Sequence, residues 1–218
     1  MVKFSSDVDI ARYEPVLFGE LYLSSQVLSA GQAGRIEGTT FSDTGADFEA
    51  SGVKAGGVIY VRSQDSVVDR VYEIVSVDSA TELTISVIRP DGDIEVSAPP
   101  ACEDLVWWIS TFEPQALEAV LRLTENFGIR PGNPNSEYSA EDIVDACAMR
   151  VASVFMVLSS VYAVLASKAD NDNMWSKSLF YKREFEKSME RCRFSIDTDG
   201  DGVGDCVFTG GSIKLMRE

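Results

Sequence analysis

The chain of 218 residues contains no histidine. That removes the commonest general base at neutral pH and the usual protein ligand for zinc, copper and haem iron. Its four cysteines, Cys102, Cys147, Cys192 and Cys206, never stand as a C-x-x-C pair, so the spacing of zinc ribbons and dithiol redox motifs is missing. Cys147 and Cys192 read instead as small buried hydrophobes on helix faces. Basic residues are scarce: 19 Lys and Arg stand against 35 Asp and Glu, a net charge of −16. Gripping nucleic acid needs clustered Lys and Arg to neutralise phosphates. The charge argues against that role, though not against a wall that DNA slides past. The stretch MVKFSSDVDIARYEP has no apolar run of the kind a secretory leader carries, and the expected compartment is the reducing cytoplasm.

The longest apolar stretch is 139–167, SAEDIVDACAMRVASVFMVLSSVYAVLAS. Ser139 and Asp142 make the S-x-x-D signature of a helix start. Apolar residues then recur at three- and four-residue steps, and from Val151 onward they fill much of the opposite face as well. A helix apolar nearly all round must be covered nearly all round. Lipid is a poor cover here. A membrane span needs about 20 mostly apolar residues, whereas Asp145 and Arg150 interrupt the run and no Lys/Arg cluster flanks it. The spacing predicts one long core helix of a bundle. The rest of the fold or neighbouring copies are the remaining covers; Val151, Phe155, Met156, Val157 and Val164 are the residues a neighbouring copy would meet, as the resemblance described below implies.

Between 35 and 110 the periodicity is two. The runs VIYVRS, RVYEIVSVDS, ELTISVIRP and LVWWIS are separated by turn signals such as Pro90-Asp91-Gly92, as in a small antiparallel barrel or sandwich. Trp107 and Trp108 read as a wall against the helices rather than as base-stacking residues, since no basic residues interleave with them. The segment 28–34, LSAGQAG, reads as a linker. Pro114 and Gly128 bracket a helix with Leu117, Val120, Leu121, Thr124 and Phe127 on one stripe. A last helix over 174–194 carries Met174, Tyr181, Phe185, Met189 and Cys192 on one face and paired charges on the other. The expected class is α+β. A bundle of about four helices has N-terminal helices in 1–30 and its core in 112–196. A β-barrel or sandwich module is inserted at 31–111, an acidic loop lies at 197–206, and an extended tail follows at 207–218.

The sharpest motif is in that acidic loop. Asp197, Asp199, Asp201, a carbonyl at Val203 and Asp205 alternate around Gly202, like the first half of a calcium loop. The bidentate Glu expected at position twelve is replaced by Phe208. The motif reads either as a structural Ca²⁺ site or as an acidic glycine-rich turn without metal. No nucleophile–base pair can be named, and the chain reads as a non-enzyme. A cryptic hydrolase with a metal on Asp197, Asp199 and Asp201 is the weakest alternative. A calcium-dependent binding module, with the β module as ligand reader, is the stronger one. The tail alternates apolar and polar residues and suits strand addition to a partner; Val207, Phe208, Ile213, Leu215 and Met216 are its expected docking residues.

Three stretches in order resemble head-to-tail connector (adaptor, head-completion) proteins of tailed bacteriophages. They are TTFSDTGADFEASGVKAGGVIYVRS with VYEIVSVDSATELTIS, then WWISTFEPQALEAVLRLTENFGI, then SKSLFYKREFEKSMERCRFSIDTDGDGVGD. The resemblance implies a ring, typically of twelve copies, in the virion neck, assembled in the host cytoplasm. It implies a helical bundle in each subunit and a C-terminal extension docked on the portal protein. The ring would present a platform to the next neck or tail protein and continue the DNA channel without sequence-specific binding, and no membrane is involved.

Overall fold

The period-two segments close on themselves. In the computed structural model, which describes residues 2–64, 67–131, 133, 135–169 and 172–210, six strands form a closed barrel: β1 (Val27–Glu37), β2 (Thr40–Ser42), β3 (Val58–Arg62), β4 (Asp69–Val77), β5 (Glu82–Ser86) and β6 (Cys102–Ser110). Their order is β1-β2-β5-β4-β3-β6, every pairing is antiparallel, and β1 meets β6. Closure removes the unpaired edges that an open sheet would expose. Alternate residues point inward: Ile59 and Val61, Tyr72 and Ile74, Leu83 and Ile85, and Leu105, Trp107 and Ile109 share one core. The class is therefore mixed α+β with a closed antiparallel barrel.

The segment 28–34 is not a linker but the body of β1. Its glycines are the reason composition misleads. A methyl group on Gly31 would lie 2.7 Å from both Trp107 Nε1 and Asp43 Oδ2, and one on Gly34 would lie 2.7 Å from Trp107 Cδ1 and 2.8 Å from the Phe41 ring. The strand lacks side chains where large rings approach its backbone.

The chain divides into two compact units: Ser6–Phe112 forms one, and Glu113 onward, with the first residues up to Ser5, forms the other. Of the residues 1–30 expected in the helical bundle, 6–30 thus belong to the barrel unit instead. The helix α1 (Asp7–Ala11) starts with a capping box between Ser6 and Asp9. It is tied to its own unit: Val8 N–H donates to the Gly56 carbonyl, and Asp7 accepts from Phe112 N–H at 2.7 Å. Pro15 opens only a short 3-10 turn, Pro15–Leu17. Phe18 meets Phe112 edge-on at 5.1 Å, and its carbonyl accepts the Trp108 indole N–H. The two tryptophans are thus split. Trp107 is barrel interior, whereas Trp108 stacks on Tyr60 outside, under the N-terminal segment.

In the other unit, α2 (Glu113–Asn126) ends in a Schellman arrangement. Ile129 N–H reaches the Thr124 carbonyl, Gly128 N–H reaches Glu125, and Gly128 has φ +78, a conformation glycine adopts without strain. The expected long helix over 139–167 is shorter. Ser139 and Asp142 do make a capping box, but it opens only the 3-10 turn Ala140–Asp142; a second turn, Ala146–Met149, precedes α3 (Arg150–Ala169). The break has a tertiary cause. Val144 N–H donates to Ser195, Asp197 N–H donates to Asp142, and Ile143 bridges Ile196, so 142–144 is held extended beside β7 (Arg193–Ile196). The last helix, α4 (Asp172–Arg191), packs on α3 through reciprocal bonds in which each of Ser159 and Ser178 donates its hydroxyl to the other's carbonyl. Tyr162 and Tyr181 stack at 5.9 Å beside them. The stretch Ala146–Ser167 is long and apolar enough to cross a membrane, by length and composition alone, and half of it is buried inside the protein.

Gly34→Ala tests the close approach at β1. Overpacking a full core costs about 1–3 kcal/mol, and urea denaturation should show a loss of that size. An unchanged midpoint would mean the rings do not need the missing side chain.

Candidate functional site

The acidic loop is the turn of a hairpin. Strand β7 pairs antiparallel with β8 (Cys206–Thr209), from Arg193–Thr209 to Ile196–Cys206, and residues 197–205 connect them. Gly200 and Gly202 have φ +80 and +84, which lets successive amides turn toward one side chain. Asp197 is that side chain. Its Oδ1 accepts N–H groups from Gly200 at 2.7 Å and Asp199 at 3.2 Å, and its Oδ2 accepts Gly202 N–H at 2.7 Å. Asp205 Oδ2 accepts both the N–H and the hydroxyl of Thr198, at 2.8 and 2.6 Å. Asp201 accepts Val203 N–H at 2.7 Å.

These bonds set the acidities. The Gly202 amide first, then those of Gly200 and Asp199, hold the Asp197 carboxyl below the usual aspartate range, against a desolvation effect in the other direction. The Thr198 hydroxyl and then its N–H do the same for Asp205. Donors that stabilise the charged form lower a carboxyl's pKa.

Carboxylate oxygens of Asp197, Asp199 and Asp205 lie within 4.8 Å of one another. Asp201 is not among them, which narrows the expected ligand set. A calcium ion takes six to eight oxygens. Three mostly exposed carboxylates supply only part of that, and Asp197 already spends three of roughly four lone-pair sites on amides. The donor chemistry suits a hard cation that keeps water on its outer side. It equally suits a turn closed by its own amides.

The other expected residues are spread out. Val207 is exposed on β8, while Phe208 stacks on Phe194 at 5.6 Å and meets Tyr138 edge-on. Phe208 thus packs within its own unit. Ile213, Leu215 and Met216 lie outside the described residues. Of the expected subunit contacts, Val151 and Val164 are exposed, and Phe155 is half-buried against Tyr181. Met156 and Val157 are buried in the single chain, so they offer no surface to a neighbour; the second apolar face of α3 is largely covered without one. Further apolar side chains outside the expected set reach solvent on α4, namely Trp175, Leu179 and Phe180. Their signal was apolar residues lying off the buried stripe of that helix.

Asp197 gives a titration with a definite sign. Its folded value lies below its unfolded one, so its contribution to the hairpin is present above the ordinary aspartate value of about 3.9 and is lost as pH falls through the lower folded value. In an NMR titration the amide signals of Gly200 and Gly202 should hold while exposed aspartates protonate, and move only in more acid solution. Movement centred on the ordinary value would mean that these amide bonds do not form in solution.

Compared with protein-family models, with curated proteins and with solved structures, the chain has no match in any of the three.

Proposed function

We propose that this chain is a structural subunit of a ring in the neck of a tailed bacteriophage, joining the portal to the tail or to the next neck protein. The observation that carries the reading is the apolar surface one copy leaves open on its helical unit. Val151 and Val164 on α3, and Trp175, Leu179 and Phe180 on α4, all face solvent. On α4, Trp175, Leu179 and Phe180 lie within two turns of one another, and exposed apolar groups gathered in this way mark interaction surfaces. Two further features support it: the order of segments that resembles connector proteins, and a net charge of −16, which suits a channel wall that DNA passes without sticking. In this reading about twelve copies close the ring, the expected number for connectors of this type, and the role is structural rather than catalytic.

Particle imaging of the chain mixed with the portal protein is the test. A closed ring seated on the portal is the expected result. A chain that stays monomeric and ignores the portal would overturn the reading.

A second reading rests on the convergence of Asp197, Asp199 and Asp205: a calcium-dependent binding module with the barrel as ligand reader. It predicts heat on Ca²⁺ titration and a gain in melting temperature that Asp199→Asn abolishes. Neither heat nor a gain would remove it.

A further inference from the structure

Strand β8 is paired along one edge only. Its neighbour β7 bonds on both sides. The Ser195 carbonyl accepts Val144 N–H, and Ser195 N–H donates to Asp145 Oδ1 at 2.6 Å, so the Ser195 backbone faces residues 144 and 145. Bonding direction alternates along an antiparallel strand. Phe194 and Ile196 therefore face β8, and their register partners Phe208 and Cys206 face back at them. Gly210 fits the same alternation, its N–H donating to the Cys192 carbonyl at 2.8 Å. Val207 and Thr209 thus turn their backbone N–H and C=O groups to the far edge, where nothing among the described residues pairs with them. An edge of this kind is a template for another strand. It has none of the usual guards, for no proline, lysine or bulge lies between Cys206 and Thr209.

Two features say what fits this edge. The first is side-chain alternation. Phe208 lies on the inner face of the hairpin, stacked on the fully buried Phe194, while Val207 is exposed on the other face. The second is charge. The turn leading into β8 carries Asp197, Asp199, Asp201 and Asp205, and none of them makes an ion pair with a described Lys or Arg. A strand that fits is therefore apolar at alternate positions and cationic where it passes the turn. The chain's own continuation has this form. Over 211–217 it reads GSIKLMR. Gly210 is held in place at the end of α4, since a methyl group on it would run into the Met189 carbonyl oxygen, and Gly-Gly is one of the pairs that close a two-residue hairpin. A turn at Gly210-Gly211 sets Ser212 opposite Thr209, Ile213 opposite Phe208, Lys214 opposite Val207 and Leu215 opposite Cys206. The bonded pairs of that register are Thr209–Ser212 and Val207–Lys214, the two β8 positions with unpaired backbone groups. Ile213 and Leu215 then share the face of Phe208, Lys214 takes the solvent face beside Val207, and Arg217 comes level with Gly204, next to Asp205. A slip of one residue would exchange the faces and set Lys214 against Phe208.

We infer that residues 212–217 fold back on β8 of the same chain as a further antiparallel strand, closing its open edge and bringing Lys214 and Arg217 to the acidic turn. The contact covers an edge that would otherwise recruit a strand from another molecule. Cross-strand apolar pairs hold the inner face, and the two cations offset the crowding of carboxylates at the turn. A ring on the portal neither requires this contact nor excludes it.

Amide hydrogen exchange, read residue by residue by NMR on the full chain, tests it. The N–H groups of Val207 and Thr209 should exchange roughly tenfold or more slowly than free-chain rates. In the tail Ser212 and Lys214 should be protected in the same way, while Ile213 and Leu215, whose amides point to the outer side, should not. Lys214→Glu combined with Arg217→Glu should reduce the protection at Val207 and Thr209 several-fold, because like charges then meet at the turn. Protection should be the same at about 10 μM and about 500 μM protein, as a contact within one chain requires. Val207 and Thr209 amides exchanging at free-chain rates in the wild-type protein would overturn the contact. So would protection of Ile213 and Leu215 in place of their neighbours, protection that survives the charge reversal undiminished, or protection that grows with concentration, which would assign the strand to a second copy. None of these outcomes bears on the ring reading, which fails only in the imaging experiment with portal.

Discussion

The indole of Trp107 lies inside the barrel, edge-on to Phe41 at 5.4 Å between centroids and tilted against Phe48 at 5.5 Å. Its N–H donates to the Asp43 carboxylate at 2.8 Å, where both groups are buried. A buried donor left unpaired costs about 1–3 kcal/mol, so the barrel must bring an acceptor to that depth. It does so with the turn after β2: Asp43 also accepts Gly45 N–H at 2.8 Å. The ring needs room as well as a partner, and β1 supplies it by having no side chain at Gly31 and Gly34. The register of β1 on β6 shifts at these positions, between Gly31 and Gly34 and again between Gly34 and Ile36. Bulges of this kind bend a strand and help a small sheet curl shut. Barrel closure, register and the placement of β2 all turn on seating one large side chain.

Two connections of this chain, one in the barrel and one in the β7–β8 hairpin, are each organised by a single charged side chain. The β5–β6 loop is held from beneath by Arg89, whose proton is held more tightly than usual, first by its bond to Glu73. The hairpin turn at 197–205 is held from within by Asp197. In both, one charged group gathers several backbone groups that would otherwise point to water. The difference is burial. Arg89 and Glu73 are nearly enclosed, so the pair must be well made to offset its desolvation. The turn is exposed, so its bonds compete with solvent and contribute little stability. A rigid exposed loop suits recognition; a solvated acidic turn suits a sharp chain reversal.

The helical unit shows the same economy of contact. Small residues let α3 and α4 approach: Ser159 and Ser178 exchange hydroxyl bonds with each other's carbonyls, and the buried Ser153 pairs with Ser5 at 2.7 Å. Lys177 reaches the Tyr162 hydroxyl at 3.0 Å and lies over its ring, which orders the start of α4. Apolar side chains left outside in this unit include Val151 and Val164 on α3 and Trp175, Leu179 and Phe180 on α4.

What was legible in the chain was local. Period-two alternation located β3 to β6, Gly128 marked the end of α2, and Ser139 with Asp142 marked a cap, because each signal depends on neighbours a few residues away. The acidic hairpin turn was legible for the same reason, through its spacing of aspartates and glycines. Other features needed partners distant in the chain. Residues 28–34 look like a linker until Trp107 and Phe41 occupy the space above their glycines. Residues 6–30 look like bundle helices until Gly56, Phe112 and Trp108 hold them on the barrel unit. The helix expected from Ser139 loses residues 140–149 as α-helix because backbone groups at 142–144 find β7, and a strand pairing satisfies donors and acceptors that helix propensity alone would have turned inward. Exposure, too, was decided only by tertiary packing. Periodicity placed apolar residues around α3 and α4, but only the fold determined that Met156 and Val157 are buried while Trp175 and Phe180 meet water.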